Sequence, residues 1–297
     1  MPGDYTHCAV MAADVILNIG HDIQEKPTFL MNPDMPKTVI HLNPFPAKGD
    51  PSYFPQLQIV GNMAAGIQGL IEHLDHNPAW DHGIMHKAAQ GMQNSINKNA
   101  SVDSFPAHPA YIVSTLRKFM NPEDILSLDN GIHMMWVARN YGALETNTML
   151  IDHALGSMGI SLPASIAAKL VHPEKKVVVV TGDGGFMMNS QELETAVRLK
   201  LDLIVVIFND NGLGMIDLKQ KADGYGNIGV DFTNPDFVKY ADSFGAHGHR
   251  LDNPAEFQNI LNKAHETGGV HIIDVPIDKK QNMMLMKEMK MVDCKSL

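Results

Sequence analysis

Lys176-Val177-Val178-Val179-Val180-Thr181 runs straight into Gly182-Asp183-Gly184-Gly185-Phe186. A short β-branched apolar run predicts a strand buried on both faces, as parallel sheets require. In open parallel sheets, ligands sit beyond the carboxyl ends of the strands. Glycines there let the backbone turn sharply and come close to a phosphate. The N-terminus of a following helix favours negative charge. Asp183 is an acid where a phosphate is expected, and the two would repel. A divalent cation between them removes the conflict, and Mg²⁺ commonly combines one or two carboxylates with phosphate oxygens. The next predicted strand, Leu203 to Phe208, ends in Asn209-Asp210-Asn211-Gly212. A strand–helix–strand passage brings Asp183 and Asp210 to one edge of the sheet, where they could share an ion. Either aspartate alone reads equally well as a turn ending a strand.

Working outward, residues 106–280 keep a regular α/β rhythm. Helices are predicted at Pro109–Met120, Met134–Tyr141, Ile160–Val171 and Pro254–Thr267, and strands at Asp124–Leu128, Thr148–Asp152 and Val270–Val275. Asn189, with Glu192 three residues on, has the spacing of a capping box and predicts a helix start. The alternation gives an α/β fold, a parallel sheet with helices on both faces. Residues 1–77 repeat the rhythm in shorter form, with strands in Ala13–Gly20, Lys37–Leu42 and Leu57–Gly61 and a helix from Met63 to Leu74, a partial Rossmann-like unit. Residues 78–105 are polar, read as a linker with some helix. The methionine-rich tail, 281–297, reads either as a short amphipathic helix that docks on the rest or as a disordered end.

The 297 residues allow about two domains at roughly 150 residues each. The net charge is −10 without a Lys/Arg run, which argues against nucleic acid and anionic membranes as partners. No stretch is apolar for long enough to cross a membrane, and the N-terminus lacks the layout of a signal peptide. Cys8 and Cys294 lie at opposite ends, with neither zinc spacing nor a disulfide framework. Together these features predict a soluble protein of a reducing, cytoplasmic compartment.

Gly182-Asp183-Gly184-Gly185 with the downstream Asn209-Asp210-Asn211 resembles the thiamin-diphosphate signature. Leu128-Asp129-Asn130-Gly131-Ile132-His133-Met134-Met135-Trp136, Ala154-Leu155-Gly156-Ser157-Met158-Gly159, the run 182–203 and Gly214-Met215-Ile216 are similar to acetolactate synthase. Residues 13–76 resemble the second half of that family's central domain. The resemblance implies a thiamin-diphosphate-binding fold over 106–280, with thiamin diphosphate and Mg²⁺ as cofactors. It implies that Asp183 and Asp210 ligate the metal by side chain and Gly212 by its carbonyl. It puts Gly131, His133 and Gly182 among the cofactor contacts, His133 on the diphosphate, and gives Gly184 and Gly185 as N–H donors to it. Gly156 would meet the aminopyrimidine through its backbone, Met158 would be the apolar wedge that bends the cofactor, and Met215 would line the substrate pocket. The implied reaction decarboxylates pyruvate and joins the remainder to a second pyruvate, giving 2-acetolactate.

In that family the activating glutamate lies in an N-terminal pyrimidine-binding domain, to which nothing before Ala13 is similar. Glu72, Glu145 and Glu192 lack its sequence context, so no catalytic residue is assigned. The expectation is half of a cofactor site, needing a homo-oligomer or a separate chain that carries the pyrimidine domain. The partial domain should also expose apolar surface. Ile19-Gly20-His21-Asp22-Ile23 replaces the family's arginine motif for FAD, so FAD is not expected. Leu218-Lys219 stands where biosynthetic members carry tryptophan, which favours pyruvate as acceptor. Two alternatives remain: another thiamin-diphosphate decarboxylase or lyase, or a non-catalytic subunit of a full-length paralogue.

Overall fold

Short apolar runs bounded by glycine or proline become strands here, and every strand ladder is parallel, as the alternation with helices predicts. The computed structural model describes residues 4–20, 31–32, 34–48, 52–75, 79–152 and 155–297. The chain forms two compact units, Met1–Asn94 with Met286–Leu297, and Ser95–Leu285. Among the described residues no helix is long and apolar enough to cross a membrane.

The first unit opens with α1 (Tyr5–Ala12), capped by Asp4. Strands β1 (Val15–Ile19), β2 (Thr38–Asn43) and β3 (Leu57–Val60) form a sheet in that order. Helix α2 (Met63–His73) follows, its start capped by the Asn62 side chain, which accepts from the Ala65 N–H at 3.0 Å. One sheet face buries a polar pair: the Tyr53 hydroxyl lies 3.0 Å from His41 Nδ1 and 3.2 Å from the Asn18 amide. The other face of edge strand β1 leaves Val15, Leu17 and Ile19 exposed. Helix α3 (Gly83–Ala100) runs through most of the segment read as a linker. Of the stretch read for FAD, His21, Asp22 and Ile23 lie outside the described residues, as does Ala154 of the cofactor segment.

One sequence expectation fails in this unit. Cys8 and Cys294 are joined by a disulfide, with Cα atoms 5.0 Å apart. Distance along the chain carried no information about distance in space, because α1 and the C-terminal stretch belong to one unit. The cysteine argument for a reducing compartment is thereby withdrawn.

The second unit starts with α4 (Pro109–Phe119), where proline fits the first turn and His108 caps the Ala110 N–H. There follow β4 (Ile125–Leu128), α5 (Ile132–Asn140), β5 (Met149–Ile151), α6 (Ser161–Val171), β6 (Val177–Gly182) and α7 (Asp183–Asn189). Next come α8 (Leu193–Arg198), β7 (Leu203–Asn209), α9 (Gly214–Ala222), α10 (Phe237–Ser243), β8 (His247–Arg250), α11 (Phe257–Thr267), β9 (Val270–Pro276) and α12 (Lys280–Met291). The sheet order is β5-β4-β6-β7-β9-β8. Val177 and Val179 pack with Phe186, Leu193, Val205 and Phe237 on one face. Val178, Val180 and Val206 are equally buried on the other. Burial on both faces is why the decisive run carries valine at successive positions rather than alternating with polar residues.

The capping box at Asn189 is not formed. The helix begins directly at Asp183, and Asn189 ends it. The Asn189 amide donates instead to the Gly159 carbonyl at 2.9 Å, and Glu192 accepts from the Thr195 hydroxyl at 2.9 Å. With both side chains engaged elsewhere, neither caps the backbone between them.

Candidate active-site cleft

Strand order reverses between β4 and β6, because the connections from β4 and from β6 leave in opposite directions. A crevice opens at such a switch point, beyond the carboxyl ends of the strands. A cleft of about 220 Å³ lies there. The register places Leu128 beside Val180 and Gly182 beside Phe208, so the segments after β4, β6 and β7 converge on it. Gly131, His133, Met158, Gly182, Asp183, Gly184, Gly185, Asp210, Gly212 and Met215 all line it. Gly156 is not among the lining residues; its carbonyl accepts from the Asn130 amide. Glu145 and Glu192, of the same unit, are not among the lining residues.

Close packing explains the glycines. A Cβ on Gly184 would sit 2.9 Å from Leu213 Cδ2, and one on Gly182 would sit 3.0 Å from His133 Nδ1. A Cβ on Gly214 would sit 2.8 Å from Asp210 Oδ2. Asn211 turns the chain with φ 56°, a left-handed conformation that asparagine tolerates.

The two aspartates behave as a pair. Asp183 is buried, and burial pushes its carboxyl above the ordinary range. The Asn234 amide and the N–H groups of Gly184, Asn211 and Gly212 oppose that rise. Asp210 is pushed up to about 7, by burial first and then by the charge of Asp183. Two buried carboxylates, one raised further by the charge of the other, suit a shared hard cation, which relieves both the burial penalty and the repulsion. Among the described residues no group of three or more His, Cys, Asp or Glu side chains converges on a metal position. A Mg²⁺ site does not require one, since main-chain carbonyl, phosphate and water oxygens complete its shell.

His133 is buried, and burial lowers its pKa to about 4. The ring is therefore neutral at physiological pH. Its Nε2 is 3.0 Å from the Asp129 carbonyl, which can only accept, so Nε2 carries the proton.

Sequence reasoning missed the residues that brace the cleft. Asp129 accepts from Gly159 N–H at 2.8 Å, Ser161 Oγ at 2.8 Å, Asn130 N–H at 2.7 Å and Thr181 Oγ1 at 3.2 Å. One buried carboxylate thus ties together the ends of β4 and β6 and the loop before α6. Asp129→Ala would leave these donors unpaired and should cost about 3 kcal/mol, because a buried donor without a partner carries its full desolvation penalty. Urea denaturation checks this; a loss below about 1 kcal/mol would be that of an ordinary surface change. Asn282, from the first turn of α12, accepts from Trp136 Nε1 at 2.8 Å and lies 3.5 Å from Asp210 Oδ2. In the sequence Asp129 stood out only as part of the run 128–136, with no role of its own.

Residues 129–275 match the family described as Thiamine pyrophosphate enzyme, C-terminal TPP binding domain. Acetolactate synthase of Bacillus subtilis (strain 168) is 35% identical over 96% of this chain and 50% of its own length. The catabolic acetolactate synthase of Raoultella terrigena is 31% identical over 93% of this chain and 50% of its own. Acetolactate synthase isozyme 2 large subunit of Escherichia coli (strain K12) is 27% identical, again over 93% and 50%. The chain spans about half the length of these curated relatives. Its residues 129–275 belong to the C-terminal TPP binding domain of the thiamine pyrophosphate enzymes, and the chain is a relative of the acetolactate synthases.

Proposed function

We propose that the cleft holds the diphosphate of thiamin diphosphate through a Mg²⁺ ion, and that the protein serves an acetolactate-synthase reaction on pyruvate. The observation that carries the reading is the Asp183–Asp210 pair, facing one cleft among crowded glycines at a strand switch point. Asp183 and Asp210 would ligate the ion by side chain and Gly212 by its carbonyl. The Gly185 N–H, at the start of α7, would donate to the diphosphate, while the Gly184 N–H is taken by Asp183 Oδ1 at 2.9 Å. When bound, thiamin diphosphate supplies the carbanion chemistry by which a 2-oxo acid loses CO₂ and joins a second one. The chain's own part is to hold and orient. Met158 and Met215 give the cleft an apolar wall, and Asp129 fixes the loop that carries Met158. His133, which lines the cleft against Gly131 and Gly182, would contact the diphosphate.

Among the described residues no glutamate lines the cleft, so residues 106–280 would be the diphosphate-binding half of the site, with the activating carboxylate supplied by a pyrimidine-binding domain. The test mixes this chain with the isolated N-terminal half of a full-length relative, thiamin diphosphate, Mg²⁺ and pyruvate. Acetoin after acid treatment, requiring both polypeptides, supports the reading. Acetaldehyde alone would make the protein a decarboxylase. Turnover of pyruvate by this chain alone would overturn the need for a partner.

A further inference from the structure

Asn234 stands outside the glycine-lined wall, yet its amide nitrogen approaches oxygens from both metal-bearing strand ends. It lies 2.7 Å from Asp183 Oδ2, 3.0 Å from Asn209 Oδ1 and 3.3 Å from Asn211 Oδ1. The segment that delivers it is fixed on both sides. Upstream, Gly212 and Asp231 form an antiparallel bridge, with Leu213 N–H donating to the Val230 carbonyl at 2.8 Å. Downstream, Pro235 restricts the backbone of Asn234. Asp236 then caps α10, accepting from the Val238 and Lys239 N–H groups at 3.1 and 3.3 Å.

The carboxylate of Asp183 is consequently gripped on both oxygens. Oδ1 accepts from Gly184 N–H at 2.9 Å, and Oδ2 accepts from Asn234. A carboxylate offers about four lone-pair sites. A donor on each oxygen leaves the remaining lone pairs in set directions and stops the group from rotating. We propose that Asn234 is a positioning residue: its amide pins Asp183 so that the carboxylate gives a single oxygen to a small divalent cation shared with Asp210. This rests on the cation reading of the site above. Mg²⁺ demands near-octahedral ligands at about 2.0–2.1 Å, whereas Ca²⁺ accepts bidentate carboxylates and irregular shells. Pinning therefore selects for the smaller ion, and releasing the carboxylate gives up that selection.

The experiment is calorimetric titration of the full chain, in the presence of thiamin diphosphate, with Mg²⁺ and separately with Ca²⁺. Loss of a group that orients a metal ligand costs on the order of 10–100-fold in affinity. Asn234→Ala is expected to weaken Mg²⁺ at least about tenfold and Ca²⁺ by less than about threefold, lowering the Mg²⁺/Ca²⁺ preference. A merely structural role would weaken both ions alike, so an unchanged ratio overturns the proposal. Should the alanine variant fail to fold, Asn234→Ser carries the same expectation, since a hydroxyl on the shorter side chain does not reach Asp183. If the unaltered chain binds neither ion with the cofactor, the site reading itself falls. If it binds Mg²⁺ and the variant keeps the ratio, only the role of Asn234 falls.

Discussion

Asp183→Ala is expected to abolish the Mg²⁺-dependent binding of thiamin diphosphate, weakening it by more than about 100-fold in calorimetric titration. Loss of an outer-shell partner already costs roughly 10–100-fold, and a direct ligand should cost more. Nothing nearby can replace the lost oxygen. The Asn209 and Asn211 side-chain oxygens already face the Asn234 amide, and Asp210 alone leaves the ion a single carboxylate. The substitution also strands the two donors that hold this carboxylate, the Asn234 amide and the Gly184 N–H. Cofactor binding that survives with its metal dependence intact would place the ion elsewhere.

Asp210→Asn should stabilise the metal-free protein at alkaline pH while weakening its hold on Mg²⁺. The carboxyl titrates near 3.8 in the unfolded chain and is pushed up to about 7 in the folded one by burial and by Asp183. The folded state thus binds this proton more tightly. Its favourable contribution is complete below pH 3.8 and is lost as the pH rises through 7. Full loss corresponds to about 4 kcal/mol at 1.36 kcal/mol per pH unit. Asparagine keeps an oxygen and discards the charge, so it should gain about 4 kcal/mol at pH 8 and less than about half of that at pH 5. Urea denaturation in a chelator at both pH values makes the comparison. Saturating Mg²⁺ should close the gap, because the ion stabilises only the state that binds it. An equal gain at both pH values would mean that the Asp210 carboxyl is not raised in the folded state.

The strands with their faces in the core were legible because burial writes itself into residue type. The valines of β6 and the run Leu203–Phe208 in β7 needed no partner to be recognised. β8 was missed: its sequence, HGHR, has no apolar signal, and it is a strand only because β9 pairs with it at the sheet edge. Helix α7 was misplaced for the opposite reason. Gly184 and Gly185 read as turn residues, but the backbone after β6 must wind at once to aim its N–H groups into the cleft.

Among the site residues, Asp183 and Asp210 announced themselves by falling at successive strand ends. Their supports did not. Asn234 comes from a loop far along the chain and meets Asp183 only once α10 and the Gly212–Asp231 bridge are in place. Asp129 had no role assigned from the sequence, because no local pattern shows that Gly159, Ser161 and Thr181 will all donate to it. Cofactor-facing groups leave local patterns, whereas the groups that brace them are recruited by folding.

The Cys8–Cys294 bond has a consequence for handling the molecule. It fastens positions 286 residues apart, so residues 8–294 lie within one covalent ring. A single protease cut anywhere inside that ring opens it without releasing a fragment. Nicked material should therefore migrate as one full-mass band on a denaturing gel until a thiol reagent is added, and only then separate into two.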